Sequence, residues 1–84
     1  MPEVEVGTVT HYYGHINVAI VQLTDNLKVG DNVHIKGHTS DFNQEVSSMQ
    51  IEHKDISEAK AGDIIGMKVF QKVHPHDKVY KVTP

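Results

Sequence analysis

The passage "EHKDISEAKAGDIIGMKV", Glu52 to Val69, decides how this chain is read. Ser57 is a suitable N-cap, and Glu58, Ala59, Lys60 and Ala61 follow it as good helix formers, with Gly62 placed to end the turn. The pattern predicts one short helical turn over Ser57–Ala61. A single turn does not stand alone as a helix, so it reads as a link between two strands. The strand after it, 63–70, contains Gly66, and a missing side chain inside a strand marks a bend or a close backbone approach. The strand before it, "FNQEVSSMQIEHK", carries a phase error. Phe42 and Val46 share one parity, Met49 and Ile51 the other. One face cannot take both sets without an extra residue, which predicts a bulge or sharp bend at Ser47-Ser48. Bends of that kind let a small sheet close on itself.

Working outward, valine and isoleucine runs separated by turn residues predict strands at 4–13, 16–23, 31–36, 42–53, 63–70 and 78–82. In "NVHIKG", Val33 and Ile35 point one way and His34 and Lys36 the other. Asp25-Asn26 and Val29-Gly30-Asp31 suit turns, and Pro75 keeps "KVHPHDK" out of a central strand. The last strand lies close to the terminus and is expected to pair with the first. The fold class that follows is all-β: residues 1–84 as one small, closed antiparallel β-barrel with one short helical turn.

Composition narrows the chemistry. The chain has 84 residues, which limits it to a small core. With no cysteine, disulfides, thiolate metal sites and a cysteine nucleophile are excluded. "MPEVEV" has no apolar signal-peptide core, and the longest apolar run, Val18-Ala19-Ile20-Val21, is far too short to span a bilayer. A cytoplasmic protein without membrane contact is the expectation. Net charge is −3, and every basic side chain is lysine, so bidentate arginine recognition of phosphate is absent. Residues 1–63 hold four lysines against ten acids, whereas 64–84 hold four lysines against Asp77 alone.

Motifs for catalysis are missing. No glycine is followed by lysine, so the chain has no phosphate-binding loop and is expected not to bind GTP by itself. Ser47, Ser48 and Ser57 sit in no nucleophile elbow, and Thr39 and Ser40 beside His38 have no third group to orient a base. Asp41, Asn43 and Glu45 imitate the start of a calcium loop, but Val46 stands where its glycine is needed. Seven histidines, including His74 and His76 around Pro75 with His11 and His15 elsewhere, leave a histidine metal site as a minor alternative. The reading assigns no catalytic residue, no cofactor and no metal. Of the aromatics Tyr12, Tyr13, Phe42, Phe70 and Tyr80, the core is expected to leave at most one exposed for stacking.

From Leu27 to Val69 the chain reads "LKVGDNVHIKG", a loop, and "VSSMQIEHKDISEAKAGDIIGMKV". Gly30, Asp31 and Gly37, then Val46, Ser48, Met49 and Gln50, then Ala59, Gly62, Ile65 and Gly66 match a spaced pattern. That pattern resembles domain 2 of the translation-factor GTPases, the elongation-factor β-barrel. The closer resemblance is to the small C-terminal barrel of collagenase-like peptidase proteins, through "IKGHTSDFNQEVSSMQIEH" with Thr39, Asp41 and Phe42. Both resemblances imply an accessory module rather than an enzyme. The translation-factor resemblance implies docking on RNA (tRNA or rRNA) or on a protein of the translation or RNA-modification machinery. The alternative is a protein–protein docking or scaffold module with no nucleic-acid role. The expected partner surface combines His38, Thr39 and Ser40 of the loop Gly37–Phe42 with Lys68, Lys72, Lys78 and Lys81.

Overall fold

The computed structural model describes residues 3–82 and contains ten strands and no helix among them. They are β1 Glu3–Tyr13, β2 Val18–Leu23, β3 Leu27–Lys28, β4 Asn32–Lys36, β5 Asp41–Glu45, β6 Met49–Ile51, β7 Lys54–Ile56, β8 Glu58–Ala59, β9 Ile64–Lys68 and β10 Lys78–Val82. Eight form one sheet in the order β5-β4-β10-β1-β2-β9-β6-β7, and β3 pairs with β8. All pairings are antiparallel, and β10 does pair with β1.

The all-β expectation holds, and the strand order forces a strong curl. β5 and β6 are neighbours in sequence but stand six places apart in the sheet. Flat, that separation is about 29 Å at about 4.8 Å per strand. The chain from Glu45 to Met49 reaches about 14 Å at most. The sheet therefore rolls until its two ends approach, around a core that includes Val21, Leu23, Ile35, Met49, Ile65 and Met67. Among the described residues no backbone ladder joins the sheet's ends. Side chains instead tie end strand β5 and its preceding turn to β9 and the loop that follows it. Buried Gln44 of β5 donates through Nε2 to the carbonyl of Lys68 (2.9 Å), and its Oε1 accepts from the amide of Phe70 (3.0 Å). Ser40 Oγ donates to the carbonyl of Lys72 (3.3 Å).

Two expectations are corrected. No helical turn forms at Ser57–Ala61: Glu58–Ala59 is the short strand β8, Ala59 packs opposite Leu27, and Ala61 already belongs to the turn that follows. A one-turn helix is a costly nucleus, whereas the extended path buries Ala59 and gains ladder bonds. The reversal comes just after, where Asp63 donates to the Lys60 carbonyl (3.0 Å) and Gly62 takes φ 91°. The single strand 42–53 is two strands. Its phase error is resolved by an irregular connection over residues 46–48, with no bulge there, which carries the chain from end strand β5 across to β6 on the far side of the sheet. β1 holds the irregularities instead, at Val6 against β10 and at Thr10 against β2. They bring Val6 and Val9, of opposite parity, to the same buried side.

Candidate binding surfaces

Two loops make one rim of the rolled sheet: the β4–β5 turn at 37–40 and the β9–β10 connection at 69–77. They touch through Ser40 and through Thr39, whose Oγ1 lies 3.2 Å from His74 Nδ1. His38 and Thr39 are exposed, but Ser40 is buried and its hydroxyl is committed to the seam. Lys68 and Lys72 are exposed on this rim side. Lys78 lies on the outer face of β10 and donates to Thr8 Oγ1 (3.2 Å). Lys81 has the parity of buried Val79, on the other face, and pairs with Asp31 (3.7 Å). The four lysines thus do not share one face: Lys68 and Lys72 join His38 and Thr39, and Lys81 stands apart.

The rim carries a residue that the sequence reading placed at the end of a strand. Phe70 is 59% exposed, between Lys68 and Lys72, and its backbone amide is held by Gln44. The segment 68–76, "KVFQKVHPH", contains no acid. With Tyr13 also 47% exposed, two aromatics rather than one are open to solvent. Among the described residues no three His, Asp or Glu side chains converge as metal ligands.

A second surface lies on the outer face of β2, β9 and β6. A groove of about 480 Å³ is lined by Tyr13, Ile16, Val18, Ile20, Ile64 and Gly66, with Gln50, Glu52 and His53 along one side. Ile16 and Ile64 are 61% and 58% exposed. Ile16 falls in the β1–β2 loop rather than in the strand predicted from 16. Gly66 makes the floor, where a Cβ would stand 3.3 Å from Val18 Cγ1. One wall is the β6–β7 turn, in which Glu52 (φ 52°) and His53 (φ 65°) are both left-handed. Positive φ at both central residues is the type I′ hairpin turn, and each residue with a Cβ adopts it at a cost of roughly 1–2 kcal/mol. The signal for this groove was the run Val18–Val21 together with Ile64-Ile65: both parities are apolar, as in strands covered on both faces.

Charge is concentrated elsewhere on the outer face. His34 of β4 lies between Glu3 (Nδ1 to Oε2, 2.8 Å) and Asp41 (Nε2 to Oδ1, 2.5 Å). The Asp41 contact, with help from Glu3, raises the imidazole above its ordinary pKa against the opposing effect of burial. His34 in turn holds the Asp41 carboxyl below the usual range.

No protein-family model matches the chain. A protein of Methanocaldococcus jannaschii described as an uncharacterized protease is 40% identical over 79 residues, which are 93% of this chain and 19% of that protein. The chain therefore spans about a fifth of that relative's length. Two crystal structures of the C-terminal domain of a protein from Geobacillus thermoleovorans, described as a U32 peptidase, share its fold. One has a TM-score of 0.87 and covers 93% of this chain and 91% of that domain. The other, a selenomethionine variant, has a TM-score of 0.85 and covers 89% and 95%. Both are 23% identical to this chain. The fold is thus that of the C-terminal domain of a U32 peptidase, and the sequence is similar to a segment of a protein described as a protease. No helix among the described residues is long and apolar enough to cross a membrane.

Proposed function

We propose that this chain is a non-enzymatic accessory module that docks, through the groove at Ile16, Ile64 and Gly66, on a larger protein body of the U32 peptidase type. The observation that carries this is the outward apolar face. Isoleucines more than half exposed around a glycine floor cost solubility, and they fit a surface meant to be covered. The relative's length supports the choice of partner, since about four-fifths of that protein lies outside the matching segment. In this reading the rolled sheet behaves as a closed barrel, stitched by Gln44, and it works in the cytoplasm. The test uses the Methanocaldococcus jannaschii relative expressed without the matching segment and checked for cooperative melting. Calorimetric titration with this chain should show saturable binding, lost in Ile64→Asp and weakened in Ile16→Asp, both exposed enough to leave the fold intact. A folded body that takes up no chain overturns the proposal.

A second reading, docking on RNA or on an RNA-bearing partner of the translation or RNA-modification machinery, is favoured by Phe70. An exposed aromatic ring on a backbone anchored by Gln44, with a lysine two positions to either side, suits base stacking, worth roughly 1–3 kcal/mol per base. Titration with tRNA or ribosomal RNA at low and physiological salt tests it. Binding should weaken at least about fivefold in Phe70→Ala, and Lys68→Ala or Lys72→Ala should each flatten the salt slope by up to about one unit. No binding at low salt removes this reading and leaves the protein-docking one.

A further inference from the structure

The outer face of the sheet around His34 poses a problem of proton count. An ionised carboxylate offers only acceptors, and a neutral imidazole has one donor and one acceptor. His34 meets Glu3 with Nδ1 and Asp41 with Nε2. Two carboxylates can both be satisfied only by an imidazolium, which carries N–H on both nitrogens. The side chains are 15% exposed at His34, 35% at Glu3 and 68% at Asp41, so the imidazole is the shielded member of the trio.

Pairing in the sheet explains how these three residues meet. Tyr80 stands opposite His34 on one side and Asn43 on the other, so the outward row crosses β10, β4 and β5. Glu3 opens β1, and its carboxylate reaches over β10 to His34. Asp41 opens β5, the end strand of the sheet. The charged and titratable groups on this face are Glu3 and Glu5 from β1, Lys78 and Tyr80 from β10, Lys36 from β4, and Asp41 and Glu45 from β5. Four acids thus oppose two lysines, and the balance favours a proton on His34. Lys36, paired across from Asp41, supports the carboxylate form of that residue. The Tyr80 ring lies beside the imidazole, 6.2 Å away by centroids and tilted by 44°.

We propose that His34 is a pH-operated clasp: as the imidazolium it ties the start of β1 to the start of end strand β5, and its deprotonation lets go of one carboxylate and loosens β5 together with the adjoining turn Gly37–Ser40. A neutral ring keeps one N–H and faces the second carboxylate with a lone pair, so attraction on that side turns to repulsion. β5 has a ladder on one side only, with β4, and depends on side chains at its other edge. It is therefore the strand on which release of the Asp41 tie is felt. The raised pKa of His34 and the lowered pKa of Asp41 agree with this direction. The tie is complete below the ordinary histidine pKa of about 6.5. It is lost as pH rises through the higher folded value, and at the acid end it is lost as Asp41 protonates below its ordinary value of about 3.9.

The experiment is an NMR titration of the intact chain from pH 5 to 9, following the His34 ring and the amide exchange of residues 42–45. Exchange is referred to the amides of β2, which corrects for base catalysis. His34 should titrate above 6.5, and protection of the β5 amides relative to β2 should fall about two- to fivefold through the same range, the size of one surface ion pair. Asp41→Asn and Glu3→Gln should each lower the His34 pKa while the melting transition stays cooperative. His34→Gln should remove the pH-dependent step in β5 protection. A His34 that titrates at or below the ordinary value overturns the clasp. So does a pKa unmoved by both carboxamide variants, or β5 protection that ignores the titration.

Discussion

Replacing Gln44 tests whether the ends of the sheet are held by side chains. In Gln44→Leu the change is mainly the loss of the two short hydrogen bonds, the one to the Lys68 carbonyl and the one from the Phe70 amide, with a long third one to the Glu45 carbonyl (3.5 Å). Each is worth about 1 kcal/mol net, and a backbone group left without a partner away from water costs about 1–3 kcal/mol. If water reaches one of the two stranded groups, the loss is about 2–4 kcal/mol. A domain of this size is stable by about 4–13 kcal/mol, so the variant gives up a large share. For 60–100 residues each kcal/mol moves Tm by about 4–8 °C, which predicts a fall of roughly 8–32 °C. Urea unfolding followed by circular dichroism supplies the free energy, since the chain has no tryptophan. Amide exchange supplies the location: Phe70 should lose its protection, while the β2–β9 amides follow global stability alone. A Gln44→Leu variant within about 0.5 kcal/mol of the parent, with Phe70 still protected, would refute the idea that this side chain closes the seam.

Gly37→Ala should destabilise by about 1–3 kcal/mol in the same assay, because the new methyl falls on the buried Asp77 carboxylate, which accepts from the His74 amide (2.9 Å). For pH, a histidine with a raised folded pKa contributes stability that is present below the unfolded value and fades as pH rises through the folded one. Thermal melts should therefore show a higher Tm at pH 6 than at pH 8.5, with the difference reduced in His34→Gln; an unchanged difference would assign it to other groups. Zinc should leave Tm unmoved, and a rise abolished by His74→Ala with His76→Ala would contradict this. Without a Gly-Lys phosphate loop, calorimetry with GTP should show no saturable heat.

Much of the fold was legible because one-sided burial leaves a period of two. Val33 and Ile35 against His34 and Lys36 gave β4 and its facing directly. The phase error between Phe42 and Met49 was real, but one sequence cannot distinguish a bulge from a jump between sheet ends, since both leave the same parity change. The irregularities of β1 left a fainter trace, Val6 and Val9 three residues apart and both buried. Ala59 was misread because its helix propensity is local, whereas its contact with Leu27 comes from 32 positions away. The groove was overlooked because Val18, Ile20 and Ile64 look like core until the facing of their strands is known. The trio at His34 had no local signal at all. Glu3 is 31 positions from it and Asp41 seven, and only the pairing of four strands brings them together.

The pairing of the first strand with the last has a mechanical consequence. Glu3 stands opposite Val82, so both ends of the described chain leave from the same end of one antiparallel ladder. Tension between those ends would peel β1 from β10 one pair at a time, in the manner of a zip, instead of shearing the ladder all at once. Glu3, the first residue such a pull would reach, is also the one held by His34. Along this axis the molecule is a soft tether, whose first yield point is a single proton-dependent contact.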